Sequence, residues 1–564
     1  MAIKHAMNIF THILDQIHDL LSLYPKDSLA RVTAEPPRDS SHGDISTNAA
    51  MVLAKEAGKN PKELAETFKA LFKQIDCVAE ISVAGPGFIN FRLKADFIQK
   101  QVSEILLAGI EYGDSTMGID EKVNVEYVSV NPTGPLHIGH ARGSVFGDVL
   151  ASVLQKAGYE VTREYYVNDA GGQVDVLAKS ALIRYNGGDI PAGMYPGEYL
   201  IPVAEKMRKE LGDKLTEADL PQIKKFVIAE IMKIIRANLE SANIRHDIFT
   251  SEAEITAEGY VSEALKVLTD NGYIYQGVLE PPKGKKPDDY EEREQTLFKS
   301  TDFGDDMDRA IKKSDGSFTY FGGDLGYHLH KIRRGYTKLV NVLGADHAGY
   351  VKRVKAGVSA LSKGKVDLEV RLVSLVKLLQ NGELVKMSKR GGNFIFIEEV
   401  IEEVGIDALR FIMLTRKNEM PLEFDLAKVI EQSKDNPVFY VQYAHARAHS
   451  AIRQAGKVDF NNANLALLIH EAELGLIRKL IEFPRVVEQA ATHYEPHRIA
   501  FYLQELAGEF HSLWNLGSGD KTLRFIREDD AELTKARIAL VKATTLVIAS
   551  GLEVMGVSAP EEMR

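Results

Sequence analysis

Residues 123–167 carry a pattern that few architectures can satisfy. Val123, Val125, Val128 and Val130 make an apolar strand, and Asn131-Pro132-Thr133-Gly134-Pro135 makes a turn. Ile138, Ala141, Val145, Phe146, Val149, Leu150, Val153, Leu154 and Ala157 then recur at spacings of three and four. That is the period of a long amphipathic helix. Gly158 ends it, and 160–167 reads as a second strand. Strand, helix, strand at this spacing is a βαβ unit, which commits the region to a parallel sheet.

The rest of the chain is organised around that unit. Sheet-like segments at 318–321, 338–343 and 366–379 fit an α/β domain whose parallel sheet is split by an insertion. The insertion, about 175–300, is mostly helical and polar, with a turn or exposed loop at 280–294. Before it lies a small α+β module. Ile9, Ile13, Ile17 and Leu21 sit four apart as on a helix face, and 81–83, Gly85-Pro86-Gly87 and 88–93 read as strand, turn, strand. From Asp407 to Met563 the pattern is helix after helix, a C-terminal bundle. Three domains are expected, at 1–112, 113–405 and 406–564.

Composition narrows the function classes. The 564 residues are 45% hydrophobic and 26% charged, ordinary globular usage that excludes a disordered chain, collagen or a coiled-coil rod. With 69 basic against 80 acidic residues the net charge is −11, so a generally basic nucleic-acid binder is excluded and any RNA contact must be local. The single cysteine, Cys77, allows neither an internal disulfide nor a Cys-based zinc site, and reads as a small buried hydrophobe in a reducing compartment. The N-terminus does not read as a signal peptide. No run approaches the roughly 20 apolar residues of a membrane helix. The longest, 543–552, is broken by Thr544, Thr545 and Gly551. No membrane partner is expected, and the chain reads as intracellular.

Two short motifs carry the chemistry. His137-Ile138-Gly139-His140 opens the long helix just beyond a strand. Free N–H groups and the helix dipole favour phosphate there, and Gly139 lets a flat base approach the backbone. Imidazole N–H groups could donate to phosphate oxygens. Read alone, the motif leaves buried or metal-ligating histidines equally open. Lys386-Met387-Ser388-Lys389-Arg390 follows the turn Asn381-Gly382 and precedes Gly391-Gly392, so it reads as a mobile loop with three cations. Such a loop suits a pyrophosphate leaving group, although a solvated basic loop is the plainer reading by itself. Both motifs, in this order on a split α/β domain, are not plausibly chance.

With HIGH at 137–140 and KMSKR at 386–390, the chain resembles a class I aminoacyl-tRNA synthetase, and within that class an arginyl-tRNA synthetase over nearly its whole length. The carrying segments are VEYVSVNPTGPLHIGHARGSVFGD (125–148), YYVNDAGGQ (165–173), STDFGDDMDR (300–309), FTYFGGDLGYH (318–328), GIDALRFIML (405–414) and NPVFYVQYAHAR (436–447). GDISTNAA (43–50), GPGFINFRL (85–93) and APEEM (559–563) complete the set.

The resemblance implies a Rossmann-like catalytic domain, an N-terminal domain on the tRNA D-loop side and an all-α anticodon-binding bundle. It implies activation of L-arginine with ATP, with Mg²⁺ carried by the nucleotide, and transfer to tRNA-Arg, by a cytoplasmic chain of a mostly monomeric family. His137, His140, Lys386 and Lys389 become the catalytic group. Gly134, Pro135, Gly139, Asp346, Met387 and Ser388 join them around ATP. Arginine would be held by Glu126, Asn131, Tyr320 and Asp324, with Asp324 facing the guanidinium, Tyr320 beside it, and Glu126 and Asn131 at the α-amino and carboxylate end. The plainer reading of Asp324 is a helix cap after two glycines. His347 stands where many relatives have glutamine, so its role is open between arginine, ATP and structure. Asp302, Asp305, Asp306 and Asp308 lack metal-site spacing and read as a polar loop or helix start.

For tRNA, 436–457 holds Arg447, Arg453 and Lys457 with no acid, interleaved with Phe439, Tyr440 and Tyr443. Cations beside stacking aromatics hold unpaired RNA, while core tyrosines are the bland alternative. The resemblance implies that Tyr440, Tyr443 and Met563 line the anticodon-loop site with Arg447 nearby, and that Phe88 and Asn90 meet the D-loop. The competing readings are a synthetase specific for lysine or glutamate and a non-catalytic RNA-binding paralogue.

Overall fold

The structure, a computed structural model, describes residues 8–279, 292–385 and 395–563. Lys386, Met387, Ser388, Lys389 and Arg390, and most of the 280–294 loop, lie outside the described residues. The chain divides into two compact units, 118–432 with 494–497, and 1–117 with 433–493 and 498–564.

In the second of these, β1 (Ala34–Glu35), β2 (Ile45–Thr47), β3 (Val78–Ala84) and β4 (Phe88–Leu93) form an antiparallel sheet in the order β1-β2-β4-β3. Gly85 and Gly87, both at positive φ, make the turn between β3 and β4. The helix Ile9–Leu20 buries Ile9, Ile13 and Ile17, and the Asn8 side chain caps it by accepting from the Phe10 and Thr11 N–H groups. Cys77 is buried, and burial pushes its thiol upward. The helices Pro437–Ala455, Glu471–Ile481, Phe483–Thr492, His497–Gly519 and Ala531–Met555 belong with this sheet. Arg478 meets buried Asp44 at 2.6 Å, and Tyr112 stacks on Phe483. The helix Ala531–Met555 is long and apolar enough to cross a membrane, against the sequence expectation. Most of it is buried among its neighbours, as in a core helix.

The other unit is built on five parallel strands: β5 (Lys122–Glu126), β6 (Glu160–Val167), β7 (Ile248–Ser251), β11 (Lys338–Gly344) and β12 (Asp367–Val373), in the order β12-β11-β5-β6-β7. The helix Ile138–Lys156 is the predicted crossover between β5 and β6. Gly158, at positive φ, follows its C-terminus. A separate antiparallel sheet holds β8 (Ile274–Gly277), β9 (Gln295–Phe298) and β10 (Arg309–Lys312). A third sheet pairs β13 (Val376–Gln380) with β14 (Glu383–Leu384) and, in parallel, with β15 (Leu422–Asp425).

Several expectations change. The first strand ends at Glu126, because Val128 and Ser129 turn to positive φ and leave the sheet. A β-branched residue there is strained. Neighbours hold the segment: Ser129 Oγ accepts from the Tyr166 N–H, and the Tyr165 hydroxyl donates to the Val130 carbonyl. Residues 318–321 are not a strand. Thr319 caps a helix, Tyr320–Arg333, by accepting from the Gly322 N–H, so Tyr320 is already helical. The 366–379 segment is two strands in different sheets, and the mainly helical insertion contains β7, the outer strand of the main sheet. Residues 406–432 group with the parallel sheet and not with the helical bundle. Buried Arg410 pairs with buried Asp148 at 2.6 Å, and β15 pairs with β13.

Candidate active site and RNA-binding face

Strand order in the main sheet reverses between β5 and β11. From β5 the chain winds outward through β6 and β7, then returns to place β11 and β12 on the other side. The crevice beyond the carboxyl ends of the strands at such a switch point is where open parallel sheets bind ligands.

The first motif stands there as a helix cap. His137 is the N-cap, and its Nδ1 accepts from the Gly139 N–H at 3.1 Å. His140 Nδ1 accepts from the His137 N–H at 3.3 Å, and the two rings stack with centroids 3.7 Å apart. A neutral ring that accepts at Nδ1 carries its proton on Nε2, so both imidazoles are set as donors beside a helix N-terminus. A Cβ on Gly139 would come within 2.9 Å of the His137 ring. Gly134 packs against Tyr199, whose hydroxyl donates to the Thr133 carbonyl at 2.5 Å. Pro135 is half-buried.

The second motif's downstream flank is joined to the first. Ile138 N–H donates to the Ile395 carbonyl and Ile397 N–H to the Leu136 carbonyl, each at 3.0 Å, so His137 and Phe396 form an antiparallel bridge. Buried Asn238 ties the same point, accepting from the Leu136 N–H and donating to Glu398 Oε1 at 2.7 Å. Arg142, buried one turn into the helix, donates to the carbonyls of Ser374, Arg416, Lys417 and Met420.

The proposed arginine ligands sit differently from one another. Glu126, Glu164 and Asn341 lie in one row across β11, β5 and β6. Two adjacent buried carboxylates need cations, and the helix Tyr320–Arg333 brings the first. Lys331 meets Glu126 at 2.6 Å and Asn341 at 3.3 Å, while Arg334, just past the helix end, binds Glu164. Glu126 is therefore held by a lysine that sequence reading missed.

Asp324 is inside the same helix and is not its cap. It is half-buried, and burial pushes its carboxyl up to about 7, helped by Glu126 and Glu252; a hydrogen bond from Tyr350 and the Arg353 charge act the other way. Tyr320, one turn earlier, is 79% exposed, and Asn131 is exposed with its Nδ2 on Gln173. Asp346 and His347 lie in the 3₁₀ turn Ala345–Tyr350 that follows β11, both well exposed and 3.8 Å apart. Of the carboxylates between 302 and 308, Asp305 pairs with Arg309, Asp306 with Lys352, and Asp308 accepts from Thr301 and Tyr275. Among the described residues no group of three or more His, Cys, Asp or Glu could hold a metal ion.

In the other unit, the helix Pro437–Ala455 presents an aromatic and cationic face. Phe439 stacks on Tyr443, the Arg447 guanidinium lies 4.4 Å from the Tyr443 ring and 5.0 Å from Trp514, and Tyr440 leans on His511. Trp514 and His511 come from a helix 60 residues later and had no motif to betray them. The tail packs on this helix: His445 Nδ1 lies 2.8 Å from the Pro560 carbonyl and Gln442 donates to the Ser558 carbonyl, which leaves Met563 half-buried nearby in sequence. On β4, Phe88 is exposed but Asn90 is only 3% exposed, in register with Ser46 and Ser82 on both neighbouring strands. Asn90 thus offers little surface, and its role towards tRNA stays a proposal beside that of Phe88.

Comparison with known proteins agrees along the chain. Three family models match: the arginyl tRNA synthetase N-terminal domain at 7–93, the class I (R) tRNA synthetase catalytic domain at 101–192, and the DALR anticodon binding domain at 441–563. An arginine–tRNA ligase of Parvibaculum lavamentivorans is 54% identical over 554 residues, 95% of each chain. One from Ruegeria pomeroyi is 52% identical over 99% of this chain and 100% of its own. A solved arginyl-tRNA synthetase structure from Campylobacter jejuni superposes with a TM-score of 0.73 at 31% identity, covering 84% of this chain and all of that one. The Thermus thermophilus arginyl-tRNA synthetase, at 20% identity, shares the fold with a TM-score of 0.77 over 98% of this chain and 100% of its own. The chain belongs to the arginyl-tRNA synthetase family.

Proposed function

We infer that the chain is an arginine–tRNA ligase acting in two steps. An arginine carboxylate oxygen attacks the α-phosphorus of ATP, the bond to the β-phosphate breaks, and pyrophosphate leaves. The 2′-hydroxyl of the terminal adenosine of tRNA-Arg then attacks the adenylate carbonyl, and AMP leaves. Neither step needs a protein nucleophile, so positioning and electrostatic stabilisation supply the acceleration.

The observation that carries this reading is the His137–Phe396 bridge. It ties the start of the histidine helix to Phe396, which follows the second motif in the sequence. In this reading Nε2–H groups of His137 and His140 donate to ATP phosphates, Gly134, Pro135 and Gly139 leave room for the nucleotide, and Asp346 lies at its edge. Lys386, Met387, Ser388 and Lys389 would close on the pyrophosphate. Asp324 takes the guanidinium, with Tyr320 beside it, and Glu126, Asn131 and His347 serve the rest of arginine. Mg²⁺ would neutralise phosphate charge and arrive with ATP. Phe88, Asn90, Tyr440, Tyr443, Arg447 and Met563 would meet tRNA. We place the chain in the cytoplasm as a monomer.

The test is charging of purified chain with ATP, Mg²⁺, tRNA and each amino acid, beside Asp324→Asn. Arginine alone should charge, with kcat/KM lowered at least about a hundredfold in the variant. Charging of lysine or glutamate would overturn the specificity. tRNA binding with no charging would point to an RNA-binding protein.

A further inference from the structure

Asp324 has one hydrogen-bond partner from outside its own helix that deserves a role. Tyr350 closes the 3₁₀ turn after β11, and its hydroxyl donates to Asp324 Oδ2. Tyr350 is the last residue before the helix Val351–Ser362. That helix packs with Tyr320–Arg333: Ala356 and Ala360 share a core with Phe321, Leu325 and Leu329. The donor is therefore delivered by a packed element and not by a loose side chain. An aspartate on a helix has two rotatable bonds, and a carboxylate meant to receive a planar guanidinium must have both fixed before the ligand arrives.

We propose that Tyr350 is a positioning residue for arginine selection: by holding Asp324 Oδ2 it presets the carboxylate, leaving its other oxygen to the guanidinium. The proposal rests on the ligase reading above. It adds a residue that touches the recognition carboxylate and not the substrate.

The surroundings explain why one hydroxyl matters. Asp324 is faced by Glu126 from β5 and by Glu252 from the helix Glu252–Ala257, both unfavourable to its charge, and by Arg353 from the helix Val351–Ser362, which favours it. Tyr166 on β6 stays protonated. On Asp324's own helix, His328 lies 2.8 Å from the Asp324 carbonyl, and burial lowers its pKa to about 4, so it is neutral. Lys331 is engaged by Glu126. The Asp324 carboxyl, pushed up to about 7, therefore exchanges its proton in the working range. A guanidinium does not give up its proton, so arginine selects the ionised carboxyl and a proton leaves to solvent. Arginine affinity should fall as pH drops below about 7, approaching tenfold per unit. The Tyr350 hydroxyl donates to the ionised form, so its removal moves that limb to higher pH.

The experiment compares wild type, Tyr350→Phe, Asp324→Asn and the double variant. Arginine binding is measured by calorimetry, and tRNA-dependent pyrophosphate exchange is followed between about pH 6 and 9. Tyr350→Phe should raise KM and Kd for arginine about tenfold near neutral pH, the effect of one hydrogen bond to a charged group. kcat and the KM for ATP should stay within about twofold, and the acid limb should move upward. Added to Asp324→Asn it should change nothing further, because it acts through that carboxylate.

An unmoved acid limb, or an effect that simply adds to Asp324→Asn, would overturn the positioning role while leaving the ligase reading intact. A wild type that binds no arginine would overturn the ligase reading itself, and this proposal with it. If Tyr350→Phe fails to fold, Tyr350→3-fluorotyrosine, a stronger hydrogen-bond donor of nearly the same shape, decides. The acid limb should then move to lower pH, and an unmoved limb overturns the proposal.

Discussion

Lys331 Nζ lies 2.6 Å from Glu126 Oε2, with the lysine side chain wholly buried and the glutamate 7% exposed. The lysine comes from the last turn of a helix and the glutamate from the end of a central strand, 205 residues apart. Asn341 accepts a second bond from the same Nζ. Removing one partner would leave an uncompensated buried charge. Lys331→Met is expected to lower stability by about 3–5 kcal/mol. Adding Glu126→Gln should return most of that. Denaturant unfolding followed by circular dichroism checks both, and a loss under about 1 kcal/mol for the single variant would sink the argument.

The neighbouring carboxylate makes a pH prediction. Burial alone would raise Glu164, but Lys331, Arg334 and the Thr250 hydroxyl together bring it below its ordinary 4.5. A carboxylate lowered in the folded state contributes stability above its unfolded pKa and loses it as pH falls through the folded value. Acid unfolding should therefore set in below about pH 4.5, and Thr250→Val should move its midpoint upward. Midpoints that coincide would count against the network.

Arg142 joins the histidine helix to the segments 374 and 416–420 through four carbonyls. Burial lowers its pKa to about 10, still charged at neutral pH. Arg142→Met leaves those carbonyls without a donor, and stability should fall by about 2–4 kcal/mol. Arg142→Lys should recover only part, since a point charge cannot reach four acceptors. Thermal melts of the three proteins test this.

His137 has two separable roles. His137→Asn keeps an N-cap acceptor but removes the imidazole, so helix stability should change by under about 1 kcal/mol. kcat/KM for ATP in pyrophosphate exchange should fall by about a hundredfold or more. A kcat/KM for ATP that stays within about twofold would show that the residue serves only the helix start.

Trp514 is the chain's only tryptophan and lies beside Arg447. Bound tRNA should change its emission, and Arg447→Ala should weaken tRNA binding and reduce the salt slope by about 1. Activation of arginine at saturating tRNA should be nearly unchanged. Emission that ignores tRNA would remove this face from the interface.

Local pattern determined a good deal. The helix after β5 and the helix under Ile9, Ile13 and Ile17 follow from periodicity, because a 3.6-residue repeat reports which side of an element must be dry. His137 at a helix start was legible because caps are local. Periodicity could not tell the first turn at 320–321 from a strand, since four residues fit both patterns and only the Thr319 cap separates them. It could not assign β7 to the sheet, split 366–379, or place 406–432, because each is decided by a partner far along the chain. The same holds for the site. The residues of both motifs stand in the sequence, but the bridge from His137 to Phe396, the buried pairing of Glu126 with Lys331 and the hydroxyl of Tyr350 on Asp324 are made only when distant segments pack. Charge and hydrogen-bond partners are properties of that packing, not of the local repeat.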